Sequence, residues 1–139
     1  MPLLLNPYIS FRDNAREAME FYRSVFGGDL QIMTYADLHL DQDPRDSEHV
    51  LNAQLTTERG LVIMGADTPA AQPFTPGGAI SVALSGDDAD ELRRCWDGLV
   101  EGGSIMMPLA KAPWGDTFGG CVDRFGTTWF VNIMDSARS

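Results

Sequence analysis

Apolar positions along this chain switch between a helical and an alternating spacing, and the switches come twice in the same order. Ala15, Ala18, Met19, Tyr22, Val25 and Phe26 recur at three- and four-residue steps, which puts them on one helix face. Asn14 and Glu17 form a capping-box pattern at its start. Gly27-Gly28 ends it, because glycine takes a left-handed backbone without a Cβ clash. The pattern predicts a helix within residues 12–28. Residues 6–11 alternate ahead of it as a strand, with Pro7, Ile9 and Phe11 on one face and Tyr8 and Ser10 on the other. Residues 30–35, 50–56 and 61–66 read as three more strands, the last two joined by a turn at Thr57-Glu58-Arg59-Gly60. Alternation in residues 50–56 puts Asn52 and Gln54 together on one face. Residues 36–48 form a polar loop.

The second half repeats this order. Residues 80–84 read as a strand. Asp88 and Glu91 repeat the capping-box pattern, and Ala89, Leu92, Trp96, Leu99 and Val100 form the apolar helix face. Gly102-Gly103 stops this helix as Gly27-Gly28 stops the first. Residues 104–107 form a strand, and a hairpin follows from Phe118–Val122 and Thr128–Ile133. Its turn is Asp123-Arg124-Phe125-Gly126, in which Asp bonds the backbone ahead and Gly accepts positive φ. Each half therefore reads β-α-β-β-β, an internal duplication. The expected fold is α+β: one domain, residues 1–139, made of modules 1–68 and 79–139 joined by a Pro- and Gly-rich linker. One such module covers a single face of its sheet with its helix. Two modules facing each other would leave a concave space suited to a small ligand.

A length of 139 residues suits a single domain with its own core. Twenty acidic against ten basic residues give a net charge of −10, which argues against nucleic acid and anionic membrane as partners. No apolar run approaches the roughly 20 residues of a membrane helix. Met1-Pro2-Leu3-Leu4-Leu5 is too short for a signal-peptide core and lacks a basic flank, so the expected location is cytoplasmic. Cys95 and Cys121 read as buried small apolar residues. His39, Asp41 and His49 match no compact metal-ligand spacing. Asp41-Gln42-Asp43 lacks the Gly and distal Glu of a calcium loop.

The motifs Pro7–Phe11, Asn14-Ala15, Ala18–Arg23 and Val25–Gly28 occur with Met64–Asp67, Trp114-Gly115-Asp116, Phe118-Gly119, Asp123–Gly126 and Trp129. On them and on the duplication, the chain resembles the PhnB-like group of the vicinal oxygen chelate superfamily, which includes glyoxalase I, bleomycin-resistance proteins and extradiol dioxygenases. The resemblance covers nearly the whole chain. It implies paired modules, a cup-shaped site and a homodimer. In metal-dependent members, the first and fourth strands of each module supply His, Gln and Glu ligands. The corresponding positions here are Pro7, near Met64, near Ser81, and Phe130. That set does not suit a divalent cation. Asn52 stands where many PhnB-like sequences are expected to have His.

The expectation is a metal-free, cofactor-free protein that binds a small organic molecule through Ile9, Asn52, Gln54, Met64, Ser81, Trp114 and Phe130. No catalytic residue is assigned. The alternative is a metal-dependent glyoxalase- or dioxygenase-like lyase or oxidoreductase, with ligands drawn from Asn52, Gln54, His49 and Asp67. Metal-free acid–base chemistry would draw on Asp67, Asp116 or Asp123, although Asp123 also reads as the turn residue. Another label attached to the family is demethylubiquinone methyltransferase. The common methyltransferase fold opens a helix with a glycine loop inside a parallel sheet, whereas the glycine pairs here follow helices.

Overall fold

The computed structural model describes residues 3–75 and 79–135. The chain divides into two compact units, Met1–Pro76 and Gly77–Ser139. Residues 76–78 of the expected linker lie outside the described residues.

The first unit contains strand β1 (Tyr8–Phe11), helix α1 (Ala15–Phe26) and strands β2 (Asp29–Thr34), β3 (Val50–Thr56) and β4 (Val62–Asp67). They form one sheet in the order β1-β4-β3-β2, with β1 parallel to β4 and the other pairs antiparallel. Ala15, Ala18, Met19 and Tyr22 are the buried residues of α1, the stripe the sequence predicts. They share the unit's core with Phe11, Ala53, Leu55 and Ile63. The close of the helix also has a steric reason. A Cβ on Gly28 would sit 2.3 Å from the Thr56 carbonyl oxygen, so only glycine lets β2 leave α1 alongside the end of β3. The polar loop carries two short 3-10 turns, Ala36–Leu38 and Pro44–Asp46. The second turn is capped by the Asp43 carboxylate, which accepts from the Arg45 N–H at 3.0 Å.

The second unit contains β5 (Val82–Gly86), α2 (Ala89–Val100), β6 (Ser104–Lys111), β7 (Thr117–Val122) and β8 (Thr128–Ile133). Its sheet order is β5-β8-β7-β6, with β5 parallel to β8. Leu92, Cys95, Trp96 and Leu99 of α2 pack with Trp129, Val131 and Ile133 of β8. The two units share the same element order and pairing, so the β-α-β-β-β duplication read from the sequence is the architecture observed.

Four details differ from the sequence reading. Asn14 occupies the N-cap position of α1 but makes no side-chain cap. Asp67, 52 residues away, accepts from the Ala15 N–H at 2.9 Å instead. Pro7 lies outside β1, although its carbonyl still accepts from the Met64 N–H at 2.9 Å. Strand β5 starts at Val82, which leaves Ser81 just before it. Strand β6 runs on through Pro108 to Lys111; it is an edge strand with two register shifts, where a missing donor and a broken ladder are tolerated. At α2 the expected cap is present: the Asp88 carboxylate accepts from the Glu91 N–H at 3.1 Å.

Candidate ligand-binding surfaces

Strand parity decides which residues each sheet turns away from its helix. In the first unit, a Cβ on Gly65 would meet Met19 Sδ at 3.0 Å, so odd positions of β4 face α1. Tyr8 pairs with Met64 and Ile9 with Gly65. Ile9 and Phe11 therefore face α1, while Tyr8 and Ser10 share the other face with Met64. The sequence separates these two sets without saying which is inward. The larger apolar set, with Phe11 at 2% exposure, takes the core side. Ile9 thus lies on the helix-covered face and not beside Asn52, Gln54 and Met64, the residues it was expected to join. Gln54 pairs with both Met64 and Gln31, and Asn52 with Met33. The helix-free face is consequently a lattice of amides and thioethers, bordered by the half-exposed Tyr8 ring.

In the second unit, a Cβ on Gly119 would meet the Trp96 ring at 3.0 Å, so odd positions of β7 face α2. Even positions of β7 and β8 face away: Phe118, Gly120, Phe130 and Asn132. Phe118 and Phe130 stack with ring centres 5.5 Å apart and planes 14° apart. Trp114 meets Phe118 edge-on, also at 5.5 Å. Gly120 makes the stack possible, because its Cβ would lie 2.8 Å from Phe130 Cε1. The Phe130 ring thus lies flat across a strand position that carries no side chain. Trp114 remains 55% exposed. Ser81 is exposed and precedes the strand that continues this face with Ala83 and Ser85. The sequence reading found Trp114 and Phe130 but missed Phe118 and Asn132. Counting in twos from Phe130 along the hairpin would have placed both on the same face.

The carboxylates considered for catalysis hold the structure together. Asp67 is buried and accepts from the Ala15 N–H and the Val50 N–H, each at 2.9 Å. It ties the end of β4 to the starts of α1 and β3, and its carbonyl also accepts from the Tyr35 hydroxyl at 3.1 Å. Asp123 accepts from the Phe125 and Thr127 N–H groups and, at 2.9 Å, from Trp129 Nε1. It is the turn residue, and it also anchors the core indole. Asp116 accepts from Asn132 Nδ2 and the Asp135 N–H, both at 3.0 Å.

His49 approaches Asp13 at 3.3 Å and Asp46 at 3.6 Å, while Asp41 accepts from the Ser47 hydroxyl and His39 ends the first 3-10 turn in a left-handed conformation. The structure therefore does not gather His39, Asp41 and His49 into one ligand set. Among the described residues, no group of three or more His, Cys, Asp or Glu side chains is placed to hold a metal ion. The family's ligand positions fit a divalent ion poorly, since Pro7 and Phe130 offer no side-chain donor and Met64 offers only a thioether. Burial pushes the thiol of Cys121 up to about 11, with the nearby Asp123 charge adding to it. Burial likewise raises Cys95. Neither is an activated nucleophile.

Two four-stranded mixed sheets, each with one helix on one face, define an α+β protein of the glyoxalase/bleomycin-resistance fold. A glyoxylase/bleomycin resistance protein/dioxygenase domain from Frankia sp. EAN1pec shares that fold, with a TM-score of 0.67 at 12% identity over 99% of this chain and 96% of that one. A family model described as 3-demethylubiquinone-9 3-methyltransferase matches residues 4–132, and the chain belongs to that PhnB-like family. Protein PA1353 from Pseudomonas aeruginosa is similar at 33% identity, with a TM-score of 0.85 over 95% of this chain and 98% of its own. A PhnB protein from Bacillus cereus is similar at 26% identity, with a TM-score of 0.76 over 95% and 100%. Among the described residues, no helix is long and apolar enough to cross a membrane.

Proposed function

We propose that this protein binds a small organic molecule, without metal, on the helix-free sheet faces. Asn52, Gln54 and Met64 are the candidate contacts on the first unit's face, and Ser81, Trp114 and Phe130 are those on the second's, each face taken by itself. The observation that carries this reading is the aromatic ledge of Trp114, Phe118 and Phe130. Three rings are held in fixed mutual geometry on the sheet face opposite α2, and Trp114 is more than half exposed. Aromatic side chains on such a face offer a large contact area at little entropic cost. The hydrogen bonds that Asp67, Asp116 and Asp123 accept from structural donors support binding over acid–base catalysis. The methyl-transfer activity in the family description finds no support in the glycines: Gly27 and Gly102 stand just beyond helices and open none. A homodimer belongs to the same reading, supported by edge strand β6, where Ile105, Met106 and Met107 are each about half exposed.

Native mass spectrometry of untagged protein, purified without chelator, tests all three parts. The expected species is a dimer of bare mass or one carrying an organic adduct, whose mass is the first clue to the ligand. One metal ion per chain would overturn the metal-free reading in favour of the glyoxalase- or dioxygenase-like alternative. In that case Asn52, Gln54, His49 and Asp67 become the ligands to vary.

A further inference from the structure

Asn132 stands on the face of the aromatic ledge, in register with Phe118 on one side and Ser85 on the other. Its amide has two chemically different ends, and Asp116 decides which end faces outward. Asp116 is buried at 1% exposure, and its two oxygens accept from Asn132 Nδ2 and from the Asp135 N–H, each at 3.0 Å. A carboxylate in that position only accepts, so the NH2 end of Asn132 turns toward it. Oδ1 is left on the opposite side of the amide. Among the described residues no donor reaches Oδ1, and it is not one of the buried unpartnered atoms. The ledge therefore combines stacked ring faces with one oriented acceptor at their border.

We propose that the ledge selects planar aromatic molecules that carry an N–H or O–H donor on the ring edge, read by Asn132 Oδ1 while the ring stacks on Phe118 and Phe130 and meets Trp114 edge to face. This rests on the binding reading above and adds the chemistry of the ligand to it. Asp116 acts as a positioning residue, with no contact to the ligand. A planar ring matches the near-parallel Phe118 and Phe130 planes, the second of which lies flat over Gly120. A molecule without an edge donor would take away the solvent that Oδ1 bonds and give nothing back, so the site discriminates against it.

Indole and 1-methylindole test this, because they share a ring system and differ in the single N–H. Each is titrated into the full chain and followed by amide shifts of Trp114, Phe118 and Phe130 and by the Trp114 indole N–H. Indole is expected to bind about fivefold to tenfold more tightly, the ratio that one neutral hydrogen bond confers. Asn132→Leu should bring that ratio to about one while both probes still shift the ledge. Asp116→Asn offers a second route. Its Oδ1 can keep the Asp135 N–H, and its NH2 then faces Asn132, whose amide turns over and presents its own NH2 outward. The preference for indole should vanish in that variant as well. Equal binding of the two probes to the unaltered chain, or a preference that persists in both variants, overturns the donor selection and leaves the binding reading standing. If neither probe shifts the ledge, the binding reading falls and this inference falls with it.

Discussion

Replacing Asp67 by alanine should unfasten the start of α1 and the start of β3 together. The carboxylate is 4% exposed and receives two backbone N–H groups, those of Ala15 and Val50, at 2.9 Å each. Truncation leaves both donors without their partner in a site with little access for water. Each such orphan costs about 1–3 kcal/mol, and hydrogen bonds to a charged acceptor lie in the upper half of that range. The expected loss is therefore roughly 3–5 kcal/mol, a large share of the ~5–15 kcal/mol that keeps a domain folded. Asp67→Asn keeps one acceptor and turns an NH2 toward the other donor, so it should recover only part of the loss. The exposed cap Asp88 gives the contrast, since Asp88→Ala should cost about 1 kcal/mol. All three tryptophans, Trp96, Trp114 and Trp129, lie in the second unit, so urea unfolding must be followed by far-ultraviolet circular dichroism and not by indole fluorescence alone. Amide exchange at Ala15 and Val50 gives the local readout, and protection there should collapse first. A variant within 1 kcal/mol of the unaltered protein, with both amides still protected, would refute the view that Asp67 is a structural clasp. It would return Asp67 to the candidates for chemistry.

Gly120→Ala should lower stability by about 1–3 kcal/mol and disorder the Phe118–Phe130 stack, seen as altered ring-current shifts, because its new Cβ meets the Phe130 ring at 2.8 Å. Asp123→Ala should be more damaging than any exposed turn substitution, by roughly 3 kcal/mol or more, because it strands the Trp129 indole N–H with two backbone donors; a urea midpoint close to that of the unaltered chain would contradict this. Cys121 is held neutral, with its thiol raised from 9.0 to about 11, so the folded state resists the ionisation that the unfolded chain undergoes more easily. Its contribution is whole below about pH 9 and is lost as the pH climbs towards 11, a change of about 3 kcal/mol. Cys121→Ala should flatten the fall in stability over that window. Iodoacetamide at pH 8 should leave Cys121 of the folded protein unmodified while labelling it in urea.

What the sequence conveyed depended on whether its signal was local. The stripes of α1 and α2 are visible because their periodicity lies within one element, and the repeat is visible because both halves keep the same punctuation. Asp88 could be read as a cap because it bonds a residue three positions away. Asn14 has the same local pattern, yet the cap of α1 comes from Asp67, a partner no local pattern names. Strand parity is a similar case. Alternation divides Tyr8–Phe11 into two faces, but only the packing of Phe11 and Met19 against Gly65 shows that Ile9 belongs under the helix. The aromatic ledge was half legible. Trp114 and Phe130 stand out by type, whereas Phe118 and Asn132 are ordinary by type and join the face through their parity with Phe130 in the β7–β8 hairpin.

The parallel pairing of β1 with β4 has a consequence for the order in which this chain takes shape. Tyr8 meets Met64, so the first unit is closed by strands from opposite ends of its sequence. Parallel partners of this separation form late, because the intervening loop must be closed before their contacts repay it. The clasp that finishes α1 sits on the last residue of β4, Asp67. During synthesis α1 therefore leaves the ribosome with its first turn unfinished, and it waits for about fifty further residues, several seconds at ordinary elongation rates. The same delay recurs when β5 waits for β8. Each half of the protein is completed by its own final strand, which makes the duplication a pair of successive assembly steps.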